Sequence, residues 1–399
     1  MKRFVSALLA AVCLLALPSV AGAAEYTVDS TADEPDAGGL NGICLSVGLK
    51  CTLRAAIQES NASAGTKDTI KFGPTFDGKL EDTIALTLGS LPAIVDPVLI
   101  DGDAGGPGGQ CDTAALVKGP CAGVSGPAAG SALIVENANG VEIEGLAIAD
   151  AAGAGAAAIN VINSSEGLEA RNNWIGVKLD GSAGANNKGI FLDPDSNGAT
   201  IGGTAAAERN VIANNSFEGL DIEGASEVDV LGNYFGVKPD GSTSAANVGK
   251  NIEITDTVAF EATDNEVGAT VASGVAPCDG GCNVIAGSTF GIDLQGNGAG
   301  QNEEPATGPT IVHGNFIGLN AAGTETRANT TGVNVGLAPD ALIGGPENED
   351  ANFIAGGAEG IFASSAEDFE AIGNIFGSGA AGAEITARGR GCSSSTSRT

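Results

Sequence analysis

Seven times along this chain a pair of apolar residues brackets one intervening residue: Ile159/Val161, Ile190/Leu192, Leu220/Ile222, Ile252/Ile254, Ile292/Leu294, Val333/Val335 and Ile361/Ala363. Successive pairs lie 31, 30, 32, 40, 41 and 28 residues apart. A single residue between two apolar ones is the period of a strand with one buried face. Strands this short cannot bury that face alone. Stacking each repeat on the next buries it, and pairs every backbone group with the turns above and below.

The motif downstream of each pair alternates between two types. After the first, third, fifth and seventh comes Asn-x-x-Gly: Asn173-Trp174-Ile175-Gly176, Asn233-Tyr234-Phe235-Gly236, Asn315-Phe316-Ile317-Gly318 and Asn374-Ile375-Phe376-Gly377. After the pairs at 190 and 333 comes Ile-Gly-Gly, at 201–203 and 343–345, and after 252 comes Glu266-Val267-Gly268. These three turns then run into Asn210-Val211-Ile212-Ala213, Asn352-Phe353-Ile354-Ala355 and Asn283-Val284-Ile285-Ala286. The unit is therefore a double turn of about 60 residues,. It is enlarged between Asn233 and Asn315 by a segment that holds Cys278 and Cys282 and reads as a surface loop. The expected fold is all-β: a solenoid of short stacked strands with a short N-terminal capping helix. Seven turns at ~4.8 Å give a rod of roughly 34 Å. A leucine-rich repeat has a comparable period, but its leucine-dense consensus is missing, and a propeller needs four strands per blade.

Composition agrees. The 62 glycines suit tight corners, and the 28 asparagines suit left-handed backbone and hydrogen-bonded ladders,. Aromatic residues are only 4%, fewer than a conventional globular core holds, yet 43% of residues are hydrophobic, so the chain is not an acidic disordered tail,. The net charge of −31 argues against nucleic acid or an anionic membrane as partner and disfavours polyanionic substrates,.

Residues 1–23 have the form of a secretory signal: Lys2 and Arg3, an apolar run from Phe4 to Leu17, and the small-residue site Ala21-Gly22-Ala23,. No later stretch is long and apolar enough to span a bilayer. Export implies an oxidising compartment. The close pairs Cys44/Cys51, Cys111/Cys121 and Cys278/Cys282 are then expected as three local staples, with Cys392 left over,. Zinc at Cys278 and Cys282 is the rival, but no second Cys or His pair lies nearby.

Residues 24–130 form an N-terminal cap with the first turns. Thr52–Glu59 is expected to be a short helix capped by Thr52, with strands at Tyr26–Val28, Thr69–Phe72, Thr83–Thr87 and Val98–Ile100,. The open strand edge of a solenoid's first turn needs such a cover. Residues 101–130 read as a stapled loop, 131–387 as the repeats, and 388–399 as an irregular tail, frame-shifted or disordered, where a further turn is due.

The string Cys44-Leu45-Ser46, then Cys51-Thr52-Leu53-Arg54-Ala55-Ala56-Ile57, Glu59 and Asn61-Ala62 resembles the bacterial CSLREA-type N-terminal domain. It departs in having Thr52 for Ser and Ala55-Ala56 for Glu-Ala. The downstream Asn-x-Phe-Ile-Gly and Ile-Gly-Gly repeats resemble those of pectate-lyase-like proteins, which implies that the solenoid is a right-handed parallel β-helix. That resemblance implies a secreted or cell-surface protein and assigns no reaction, since fold alone does not give function.

A lyase or glycosidase on such a fold needs charged side chains converging on one long face, with paired carboxylates for hydrolysis. No cluster of that kind is evident in the linear sequence. His313 lacks a local partner and reads as a packing residue; Arg171, Arg209 and Arg327 read as solvated turn residues. Trp174 and Tyr234 share one repeat position with Phe316 and Ile375, which reads as a packed column rather than a binding stripe. One metal signal exists. Asp193, Asp195 and Asn197 fit the first positions of a D-x-D-x-[DN]-G calcium loop, although Thr204 stands where the bidentate Glu belongs,. Its alternative is an acidic turn. Calcium is the one cofactor expectation. The sequence thus favours a non-catalytic secreted β-helix acting in adhesion, surface display or envelope structure. A polysaccharide lyase or glycosidase, then a calcium-dependent carbohydrate-binding rod, are the alternatives. Partners would be a polysaccharide or another surface protein.

Overall fold

A computed structural model describes residues 22–103, 110–113, 118–270, 277–296, 309–337, 341–364, 366, 369–377 and 390–394. The signal segment therefore lies outside the described residues, except for its last two positions. Among the described residues, three parallel sheets of 11, 10 and 9 strands stack side by side, with a two-stranded antiparallel ribbon at Cys111–Asp112 and Lys118–Gly119. From Val98–Asp101 onward each turn places one strand in each sheet, so this is a parallel β-helix. It is right-handed, as strand–crossover–strand connections almost always are. Ten intervals in the first sheet give a stack of about 48 Å,.

All seven apolar pairs stack in the third sheet, in register. Ile159 and Val161 pair with Ile190 and Leu192, these with Leu220 and Ile222, and so on to Ile361 and Ala363. All point inward and are buried in one continuous core. The alternation of motifs has a geometric cause. In one kind of turn the chain passes almost directly from first to second sheet, as from Glu169–Arg171 to Trp174–Ile175, and loops out before the third. In the other the long connection comes earlier, as between Thr200–Gly202 and Val211–Ile212.

At the entrance to the second sheet the two motif types share one column. Asn173, Asn210, Asn233, Asn283, Asn315, Asn352 and Asn374 form a ladder, each Nδ2 donating to the next Oδ1 at 2.9–3.2 Å. Each Nδ2 also donates to a backbone carbonyl, from Ile143 for Asn173 to Ile343 for Asn374. A buried corner has no water to satisfy its backbone, and these amides take that place. Gly236 follows one of these corners at φ +72°, where a Cβ would collide with the Ala286 carbonyl oxygen. The Gly of one motif thus admits the Ala of the other.

Trp174, Tyr234 and Phe316 stack with Val211, Val284 and Phe353 on the outer face of the second sheet. They are buried beneath loops that contribute Val177, Leu179, Val237 and Leu319, so this column is packing. Disulfides join Cys44–Cys51, Cys111–Cys121 and Cys278–Cys282. The last pair is buried in this same cluster, so part of the enlarged segment is core rather than surface loop.

The helix spans Leu53–Asn61, and Thr52 Oγ1 accepts from the Ala55 N–H at 3.1 Å. Leu53, Ala56 and Ile57 close the core over Val28 and Ile70. Arg54 clasps Asp33 at 2.6 Å and donates to the Ser90 and Gly89 carbonyls. Glu59 accepts from the Gly42 N–H at 2.7 Å, and Asn61 bridges to Ala93 and Val95. Every residue of the string from 52 to 61 that makes a polar contact here holds the cap in place.

The chain from 388 on is not wholly irregular. Arg390–Ser394 pairs in parallel with Glu359–Ser364 and ends the third sheet. Parallel pairing uses backbone groups alone, so a segment without the repeat's apolar pattern can still add to an open edge.

Candidate functional site

The residues between the apolar pairs point outward from the third sheet and stack as a second column: Asn160, Phe191, Asp221, Glu253, Asp293, Asn334 and Phe362. Three acids occupy consecutive rungs, with an aromatic ring toward each end. Like charges directly opposite one another repel across a sheet. Two lysines relieve this. Lys188 pairs with Asp221 and approaches Glu223 at 3.8 Å. Lys250 pairs with Glu253 and lies 3.0 Å from Asp293. The Lys188 ammonium also sits 4.7 Å from the centre of the Phe191 ring,. Gln295 and Asn334 donate to Asp293 Oδ1 at 2.5 and 2.7 Å.

Burial grades the face. The Asp221 side chain is 1% exposed, against 20% for Lys188, 16% for Glu253 and 42% for Glu223. Burial pushes Asp221 up to about 7, against the pull of Lys188. Burial, then the nearby Glu253, also raises Glu218. Lys188 is raised: burial opposes its charge, and Asp221 outweighs that. One carboxylate oxygen from each of Glu218, Asp221 and Glu253 lies within 4.8 Å of the others. The Asp221 Oδ1 has no hydrogen-bond partner. The arrangement offers hydrogen-bond donors and acceptors in a line, one per rung, with rings that can stack on an apolar ligand face.

The calcium-loop residues sit at the corner between the third and first sheets. Asp193 accepts from the Asn163 N–H at 2.8 Å and the Ser196 hydroxyl at 2.6 Å. Asn197 Oδ1 accepts from the Ser226 N–H at 2.8 Å. Asp195, at φ +68°, lines a shallow cleft of about 360 Å³ with Asn197 and Glu261. His313 is buried and bonds Glu266 at 2.6 Å. The three arginines are held rather than solvated. Arg171 pairs with Glu142 and Glu169, Arg209 lies over the Tyr234 ring at 4.2 Å, and Arg327 donates to the Ser242 carbonyl at 2.6 Å.

Sequence reasoning does not single out Lys188, Asp221, Glu253 or Asp293, although the signal is present. The alignment that finds the apolar pairs also lays out the residue between them, and reading down that position spells the face.

No family model matches the chain, and no curated protein matches it. Solved structures similar to it include PfbA, a surface adhesin of Streptococcus pneumoniae, at 14% identity over 82% of this chain and 80% of that one, with a TM-score of 0.40. An alginate lyase from a Paenibacillus species is similar at 13% identity over 91% and 99%, with a TM-score of 0.30. A DFA-IIIase from Arthrobacter chlorophenolicus is similar at 12% identity over 79% and 60%, with a TM-score of 0.23. These likenesses are distant, and the fold assignment rests on the strand registers.

Proposed function

We propose that this chain is exported and works outside the cell or on its surface as a β-helix that binds a polysaccharide along its third sheet. The carrying observation is the outward column from Asn160 to Phe362, with polar groups on consecutive rungs and a ring toward each end. The rung spacing is close to the length of one sugar ring, so successive sugars meet successive side chains. The net charge of −31 favours a neutral or amino sugar over a polyanion,. Export is supported by the charged start, apolar run and small-residue site within residues 1–23, and by the three disulfides,. A CSLREA-type cap is supported by the string at 44–62, whose residues tie the helix over the first turn.

A second reading, glycosidic hydrolysis, is favoured by one observation: Glu218, Asp221 and Glu253 crowd together, with one carboxylate oxygen of each within 4.8 Å of the others, and glycoside hydrolysis uses neighbouring carboxyl groups,. Burial supports the binding reading. Asp221 lies beneath Lys188, so a sugar meets the lysine and the rings before it meets that carboxyl. Binding to a panel of neutral, amino and acidic polysaccharides tests both, with released reducing ends measured in parallel. Phe191→Ala and Glu253→Gln should each weaken binding of the recognised glycan at least tenfold. Equal binding by these variants, or no glycan bound, would overturn the binding reading. Reducing ends lost in Asp221→Asn would establish the hydrolase.

A further inference from the structure

A different face, on the first sheet, carries a charge arrangement that the glycan reading does not use. Lys71, Asp101, Glu144 and Arg171 stand opposite one another on successive strands, so two acids are neighbours between two cations. Both cations make closer pairs with other acids. Lys71 pairs with Glu25, and Arg171 lies 2.6 Å from Glu142 and 2.7 Å from Glu169, but 3.7 Å from Glu144. Asp103 adds a third acid. All three are more than nine-tenths buried, and one oxygen from each lies within 4.8 Å of the other two.

We infer that Asp101, Asp103 and Glu144 form a calcium site. The Glu144 Oε1 is buried with no hydrogen-bond partner, an acceptor that folding removes from water,. The other acids are held in place. Asp101 Oδ1 accepts from the Asp103 N–H at 2.9 Å, and Asp103 Oδ1 accepts from Asn172 Nδ2 at 2.7 Å. Gly145, at φ +69°, makes room for the Asp103 carboxylate, which a Cβ there would strike. A cleft of about 740 Å³ that Asp101 and Asp103 help to line gives an ion a route in. An all-oxygen donor set of three carboxylates suits a hard divalent cation, and their burial suits calcium better than magnesium, which keeps several of its waters,.

The site is independent of the glycan face and of the Asp193 corner. Titration calorimetry of the exported form, stripped with chelator and then given calcium chloride, should show one equivalent bound. Glu144→Gln, which keeps shape and removes charge, should weaken that binding at least tenfold, as should Asp103→Asn. Asp193→Asn should leave it unchanged. Circular dichroism of each variant checks that it folds, and if Asp103→Asn does not, Glu144→Gln decides. No stoichiometric binding at millimolar calcium, or binding that survives Glu144→Gln, would overturn the site. So would magnesium bound as tightly as calcium.

Discussion

Replacing Asn233 by Ala removes an interior rung of the ladder. Its Nδ2 donates to the Ile201 carbonyl at 2.8 Å and to Asn283 Oδ1 at 3.2 Å. Its Oδ1 accepts from Asn210 twice, from Nδ2 at 2.9 Å and from the backbone N–H at 3.2 Å. Asn283 Oδ1 keeps the Asn233 backbone donor at 2.8 Å, and Asn210 Nδ2 keeps the Ala170 carbonyl at 2.7 Å. The Ile201 carbonyl keeps its ladder partner, because the parallel pairing of Thr200–Gly202 with Asp229–Leu231 brings it the Leu231 N–H. Truncation therefore orphans two groups at a fully buried corner: the Asn210 N–H and one amide hydrogen of Asn210. At about 1–3 kcal/mol each, with some relaxation, the loss is about 2–4 kcal/mol. Asn374 is the internal control, because it ends the ladder and is half-exposed. Water can replace what Asn374→Ala removes, so that variant should lose about 1 kcal/mol. Urea unfolding followed by circular dichroism compares the two through the shift in midpoint. Equal losses, or less than about 1 kcal/mol for Asn233→Ala, would refute the ladder as a source of stability.

Two further predictions use the same assay. Gly236→Ala meets both a positive φ and the Ala286 carbonyl, whereas Gly140→Ala meets a φ of +67° and open space; the first should cost at least about 2 kcal/mol more than the second, and equal costs would refute the close approach. Asp221 has a folded pKa raised to about 7 from an ordinary 3.8, so between pH 4 and 7 the folded chain holds the extra proton and stability falls as pH rises,. Asp221→Asn removes that dependence, and its stability relative to the parent should improve between pH 5 and pH 8 in unfolding midpoints; a difference unchanged with pH would contradict the raised value.

The fold was legible because a solenoid writes its geometry once per turn. Ile190/Leu192 and its six equivalents mark the inner face of the third sheet, and Thr52 marks the start of the helix. The ladder was half legible. The asparagines of Asn-x-x-Gly and Asn-x-Ile-Ala appear as two motifs along the chain, and only stacking makes them one column. Longer-range placements were harder to read. Nothing near Glu144 in sequence announces Asp101 or Asp103, because a register over some 40 residues brings them together. Arg171, Arg209 and Arg327 looked solvated for the same reason, since their partners Glu142, Tyr234 and Ser242 arrive from other turns.

Carboxyl footprinting with the recognised oligosaccharide bound tests the central claim most directly. A carbodiimide and an amine label exposed carboxylates, and mass spectrometry reads each site. The account predicts that the ligand protects Glu223 and Glu253 on the third sheet and leaves Glu169, on the first, labelled as before. Protection of Glu169 with Glu223 and Glu253 unchanged would place the ligand on another face and contradict it.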